Sequence, residues 1–264
     1  MTEIPTTTIT IKDLLVNHAV IGTVTDQPPV VLLHGWGATI DLVWGLAQHL
    51  NRYGYCVYAL DLPGFGASDD PPQAWTVFDY ARFVLAYLDA NDLERVHLFG
   101  HSFGGRLGLI LGADHSERLH KLVLSDAAGI RTPTPLAARI RLRVYKSVRD
   151  SLYRIGAHGL ADRLRDAYNA RYGSDDFQQA SGVMRETFVK VVNEDLLPYA
   201  ERVAVSTLLF WGDQDEATPL WQGELLEARI TDAGLVTYES AGHYAYLERP
   251  AETARVMDYF FKQS

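Results

Sequence analysis

The sequence predicts an α/β protein, with a mostly parallel central sheet, helices on both faces and one helical insertion. Three observations predict it. Short apolar runs alternate with helix-spaced stretches over residues 29–124. The same alternation resumes over 207–261. Between them, residues 131–199 show helical spacing and no clear strand-like run. A chain of 264 residues is long enough for one well-buried domain. The expected division is a core of 1–130 and 200–264, with 131–199 as the insertion rather than an independent domain.

Residues 8–11 and 15–21 read as strands joined by a polar turn. Residues 29–33 form a continuous apolar run, as in a strand buried on both faces, and Gly35 and Gly37 break it. Leu42, Leu46 and Leu50 have helical spacing, and Gly54 ends that helix. A strand over 55–60 follows, then a Pro/Gly-rich loop over 61–68. The pattern continues as helix 77–88, strand 96–99, helix 103–113 and strand 119–124. Within the insertion, Ile140, Val144, Val148, Leu152 and Ile155 recur at helical spacing, as do Met184, Phe188, Val191 and Val192. Met184 opens that second stripe and reads as a core residue. Strand 207–211, helix 220–230, strand 235–239 and helix 251–261 complete the chain.

Composition narrows the function. Acidic residues outnumber basic ones, 33 to 24, and this argues against a nucleic-acid binder, which carries a basic footprint. The one cysteine, Cys56, allows no internal disulfide and reads as a small buried core residue. Residues 1–12 are rich in threonine and lack an apolar stretch after a basic start, so no signal peptide is expected. No run of about eighteen apolar residues appears, so no membrane span is expected, and the default is a soluble cytoplasmic protein. Arg139, Arg141, Arg143, Lys146, Arg149 and Arg154 crowd the first helix of the insertion. They read as a solvated face or as an attractor of anionic substrate toward a cleft.

The strongest chemical signal is Gly100-His101-Ser102-Phe103-Gly104, a G-x-S-x-G between an expected strand and an expected helix. A sharp turn there pushes the serine oxygen out of the sheet, beside free N–H groups at a helix N-terminus. A serine hydroxyl is a weak nucleophile and needs a base. His243 follows Gly242 in a loop after strand 235–239, at the edge where open α/β sheets bind ligands. The base in turn needs an acid. Asp213, Asp215 and Glu216 follow strand 207–211, Asp126 follows strand 119–124, and spacing alone does not choose among them.

With these motifs in order, the chain resembles the α/β-hydrolase superfamily over nearly its full length. The carriers are His34-Gly35-Trp36-Gly37, the loop from Asp61 to Ser68 with its Pro63-Gly64-Phe65-Gly66, the serine turn, and the aspartate and histidine loops. The resemblance implies the α/β-hydrolase fold, with 131–199 as a helical cap over the pocket. It implies a triad of Ser102, Asp215 and His243, since the acid stands four residues before the proline of a G-x-x-D-x-x-x-P loop, here Pro219. Some relatives place the acid where Asp126 stands. It also implies an oxyanion hole from the Phe103 and Trp36 N–H groups, with the Trp36 ring on the pocket wall. His34 would support its loop by hydrogen bonding. Tyr145, Tyr153, Tyr168 and Phe177 are the cap aromatics offered to the cleft.

The function so implied is a serine hydrolase cleaving carboxylic esters of small or medium acyl chains through an acyl-enzyme. The alternative is a carbon–carbon bond hydrolase acting on meta-cleavage-type dienoates. Dehalogenase and epoxide-hydrolase relatives carry aspartate where Ser102 stands, which disfavours both. A receptor-like binding protein on the same fold is a third reading that only turnover excludes. Gly64 and Gly66 lack the third glycine of a dinucleotide fingerprint, Asp69 standing in its place, and no metal-site spacing appears, so neither cofactor nor metal is expected. The expected partner is a small ester substrate; oligomeric state is not legible.

Overall fold

Successive residues of a strand point to opposite faces of a sheet, and the runs 30–33 and 57–60 are apolar and buried at every position. Both faces must therefore be covered. In a computed structural model, which describes residues 3–132, 135–172 and 174–263, they are. The sheet has eight strands in the order β1-β2-β4-β3-β5-β6-β7-β8. These are β1 (Thr6–Ile11), β2 (Leu14–Ile21), β3 (Val30–Leu33), β4 (Val57–Leu60), β5 (Val96–His101), β6 (Leu119–Ser125), β7 (Thr207–Gly212) and β8 (Ala233–Tyr238). The pairings β1–β2 and β2–β4 are antiparallel, and the rest are parallel.

Val31 and Leu33 of β3 enter the core on one face; Val30 and Leu32 enter the core on the other. The first face is covered by α2 (Val77–Ala90), α3 (Phe103–Asp114) and α9 (Trp221–Arg229). The second is covered by α1 (Ile40–Arg52), the short α10 (Ala245–Glu248) and α11 (Pro250–Phe261). Polar residues set the helix starts. Thr39 caps α1, and Thr76 with Asp79 forms a reciprocal capping box on α2.

Between β6 and β7 the chain leaves the sheet for, among the described residues, five helices: α4 (Leu136–Arg154), α5 (His158–Tyr172), α6 (Asp175–Gln179), α7 (Gly182–Asn193) and α8 (Leu197–Ala200). They are the inserted helical region. The Met184 stripe is the buried face of α7, with Met184, Phe188 and Val191 turned inward. The Ile140 stripe behaves otherwise. Of α4, only Tyr145 is buried. Cys56 is buried, as expected.

Candidate active site

The site lies at the carboxyl ends of the central strands, where β3 stands between β4 and β5 and the chain order reverses. β5 runs straight into Ser102, whose φ of 50° and ψ of −103° are unusual for a residue with a Cβ. Crowding enforces the turn. A Cβ on Gly100 would lie 2.3 Å from the Gly104 carbonyl oxygen, and one on Gly104 would lie 2.4 Å from the Leu33 carbonyl oxygen. Only glycine lets α3 start so close to β3. Backbone bonds then fix the elbow: Ser102 N–H donates to Ser125 O (3.1 Å) and Gly104 N–H to His34 O (3.1 Å).

His243 sits on the turn after β8, held by a Gly242 N–H that donates to the Glu248 carboxylate at 2.9 Å. Its Nε2 lies 3.0 Å from Ser102 Oγ, and its Nδ1 lies 2.8 Å from Asp215 Oδ2. A carboxylate only accepts, so Nδ1 carries the hydrogen and Nε2 offers a bare lone pair to the serine hydroxyl. Asp215 is itself oriented. Its Oδ1 accepts the N–H groups of Ala217 (2.8 Å) and Thr218 (2.9 Å), and its Oδ2 accepts the Thr218 hydroxyl (2.7 Å). Burial pushes the Asp215 carboxyl up, but the bonds from His243 and Thr218 outweigh it and hold the group below the ordinary carboxylate range.

The other acids have different surroundings. Asp213 and Glu216 are exposed. Asp126 is buried but turned to β7: it accepts Gly212 N–H at 2.9 Å and the Ser125 hydroxyl at 2.8 Å. Burial pushes its carboxyl up to about 7 against those two bonds, and the Asp215 charge adds to the rise. His34 does what its position suggested. It accepts Leu62 N–H at Nε2 (3.0 Å) and donates from Nδ1 to Gly35 O (2.7 Å), tying the Trp36 loop to the Pro-Gly loop.

Sequence reasoning missed four residues. Thr218 holds Asp215, and no motif marks it. His101 is buried, and its Nε2–H donates to the His243 carbonyl (2.7 Å), clamping the histidine loop to the elbow. Burial lowers its imidazole to about 3, with the neighbouring His243 adding, so it works as a neutral group. Arg106 and Asp176 line the cavity over Ser102. Arg106 is one turn past the nucleophile on α3, a position whose inward direction only the register of the helix could have suggested.

That cavity has a volume of about 290 Å³. The Trp36 ring forms its apolar wall, edge-on to Phe65, Phe103 and Phe188 at 4.9–5.3 Å. The backbone N–H groups of Trp36 and Phe103 have no protein acceptor among the described residues. Of the four cap aromatics offered to the cleft, none lines it; Phe188, Val191 and Val192 of α7 do so instead. Tyr145 and Tyr168 stack on each other at 3.9 Å, and the Tyr153 hydroxyl donates to Asp162 at 2.7 Å. The Phe177 ring lies 6.2 Å from that of Phe188. Aromatic rings on a helix choose the nearest apolar partner, which for α4 is α5. The basic residues of α4 do not line the cavity either. No group of three or more histidine, cysteine or acidic residues is placed to hold a metal among the described residues. The arrangement can activate a hydroxyl for attack on a carbonyl and meet the developing oxyanion with two N–H groups.

The model of a family described as the alpha/beta hydrolase fold matches residues 28–250. The chain is 26% identical over 272 residues to a 2-hydroxy-6-oxo-6-phenylhexa-2,4-dienoate hydrolase of Comamonas testosteroni, covering 96% of this chain and 93% of that protein. It is 26% identical over 240 residues to a 2-hydroxy-6-oxononadienedioate/2-hydroxy-6-oxononatrienedioate hydrolase of Escherichia coli O81, covering 83% and 82%. The crystal structure of a bacterial membrane phospholipase A superposes with a TM-score of 0.73 at 26% identity, over 97% of this chain and 84% of that one. Among the described residues, no helix is long and apolar enough to cross a membrane.

Proposed function

The chain belongs to the α/β-hydrolase fold family and is a hydrolase, and from that premise we propose that Ser102 is its nucleophile, His243 its base and Asp215 the orienting acid. His243 Nε2 takes the proton from Ser102 Oγ as that oxygen attacks a carbonyl carbon. The N–H groups of Phe103 and Trp36 receive the charge that develops on the carbonyl oxygen. Asp215 stabilises the imidazolium, which then gives its proton to the leaving group. Water activated by His243 releases the acid and restores Ser102.

The proposed substrate is a dienoate-type ketone bearing a carboxylate, cleaved at the carbon–carbon bond beside the ketone. In the dienol form that carbon is vinylic, so the proton of the 2-hydroxyl first moves to it and a second carbonyl forms; the leaving group is then a carbanion whose charge is delocalised through the remaining double bond onto that carbonyl. It collects the proton from His243 as an alkoxide would. The observation that carries this reading is Arg106. Arg106 is buried and lines the cavity of Ser102, with no carboxylate at ion-pairing distance among the described residues; its guanidinium bonds the carbonyls of Val191 (3.0 Å) and Glu194 (3.2 Å) through one nitrogen. A planar cation with spare donors suits a carboxylate. Asp176 on the same cavity repels an anionic end, so the two charges give the pocket a direction. The two dienoate-hydrolase relatives support this reading.

Cleavage of a carboxylic ester is the second reading. It shares every step but the leaving group, and the likeness to a phospholipase A favours it. The test compares kcat/KM for 2-hydroxy-6-oxo-6-phenylhexa-2,4-dienoate with a p-nitrophenyl ester series, with Ser102→Ala beside each. The variant should lose about 10⁴-fold or more on its substrate. Preferred turnover of the dienoate supports carbon–carbon cleavage, and turnover of esters alone supports the second reading. Neither, with Ser102 unlabelled by a fluorophosphonate, removes both.

A further inference from the structure

A helix with an apolar stripe normally turns that stripe to the core. In α4 the reverse holds. Its one buried residue, Tyr145, stacks on Tyr168 of α5, and the exposed Arg141 lies 4.0 Å over the Tyr172 ring. The residues left outside are aliphatic: Leu136 is 69% exposed, Ile140 54%, Val144 57% and Val148 48%. They recur every four residues, each step advancing about 40° round the helix, so they form one slanting ribbon. Ile155, just past the helix end, and Leu160 on α5 extend the apolar surface.

Charge decides what covers it. Along α4 there are six cations and one acid, Asp150, in a chain of net charge −9. Asp150 is taken by Arg149 at 2.7 Å. Arg139, Arg143, Lys146 and Arg154 are exposed and have no ion pair among the described residues. On the helical circumference Arg139 and Arg143 each stand about 100° from the neighbouring ribbon residue and so flank it, while Lys146 lies on the far side of the helix. A second copy docked by a two-fold axis would set α4 against α4, cation against cation. An anionic lipid surface supplies what both halves need: an apolar phase for the ribbon and a dense layer of negative headgroups for the arginines. We infer that α4 is a membrane-surface helix, lying in the interface of an anionic bilayer without spanning it. The net negative charge of the chain works against contact through its other faces, so α4 orients the enzyme. The cavity over Ser102 is built without α4, and turnover of a soluble substrate is independent of this face.

The test is co-sedimentation of the whole protein with vesicles of phosphatidylcholine alone and with phosphatidylglycerol added. The expected result is binding that requires phosphatidylglycerol and weakens as salt rises. A paired variant, Ile140→Asp with Val144→Asp, and a second pair, Arg139→Glu with Arg143→Glu, should each weaken binding about tenfold or more. Circular dichroism and turnover of a soluble substrate should stay at wild-type level. Absence of binding to phosphatidylglycerol vesicles, or binding untouched by both pairs, overturns the inference. So does a wild-type dimer in sedimentation equilibrium that the aliphatic pair splits, because α4 would then be an interface between copies.

Discussion

The rim of the sheet around Ser102 and the α4–α5 hairpin are built on opposite terms. At the rim nearly every polar group has a partner and every small residue has a reason. Gly100 and Gly104 are pressed against backbone, Asp215 is held by three donors from Ala217 and Thr218, and His101 clasps the loop of His243. In the hairpin, aliphatic side chains of α4 face outward, and Arg139, Arg143, Lys146 and Arg154 of the same helix are exposed with no ion pair among the described residues. The rim is over-determined by the chain itself, so its geometry survives only if all its parts are kept. The hairpin asks little of the core and is free to answer to something outside the molecule.

Substitutions can break that contrast. The largest effect belongs to the two buried acids. Asp215→Asn should lower kcat/KM by about 10³–10⁴, because the amide cannot hold the imidazole in the required tautomer or stabilise its charge. Asp126→Asn should cost far less activity, since Asp126 bonds Gly212 and Ser125 instead of His243. Kinetics on purified variants check the ranking, and the reverse order would move the acid to Asp126.

Stability measured by urea unfolding sharpens the comparison further. Leu209→Ala, within β7 and fully buried, should cost about 2–5 kcal/mol through lost burial and a residual cavity. Ile140→Ala, on the open ribbon of α4, should change stability by no more than about 0.5 kcal/mol. An equal loss at both positions would mean that α4 is covered within the chain.

Asp126 gives a smaller effect with a defined sign. Its carboxyl is raised to about 7, above the unfolded value of about 3.9, so the folded protein holds that proton more tightly. The stability it contributes is complete below about pH 4 and is lost as the pH rises through about 7. Asp126→Asn imitates the protonated acid and should remove that loss. The variant should exceed the wild type by on the order of 1–3 kcal/mol at about pH 8 and match it at about pH 4. Paired unfolding curves at the two pH values test this, and a wild-type advantage at high pH would show that the carboxylate is the favoured form.

Much of the protein was legible in the sequence because its signals are local. Continuous apolar runs mark strands that the chain covers on both faces, and helical spacing marks α1 and α7. The element ends differ by a few residues where caps decide them, as at Thr39, which starts α1 before the first leucine of its stripe. The serine turn stood out because glycines flank it, and backbone crowding makes Gly100 and Gly104 obligatory; His243 stood out by its place in the loop after a strand, behind Gly242. The choice of Asp215 over Asp213, Glu216 and Asp126 could not be read from spacing, because it depends on which carboxylate the turn swings under the imidazole. His101 stands inside the serine motif but does its work through His243, 142 residues on, and Arg106 and Asp176 meet at the cavity from segments distant in the chain, while Thr218 acts on Asp215 through a local turn that no motif marks. The cap aromatics show the same limit from the other side, since Tyr145 and Tyr168 satisfy each other instead of reaching the cleft. The aliphatic stripe of α4 was visible in the sequence as a stripe. Which way it faces was decided only by the tertiary structure, because periodicity sets what shares a side of a helix, and packing sets what that side meets.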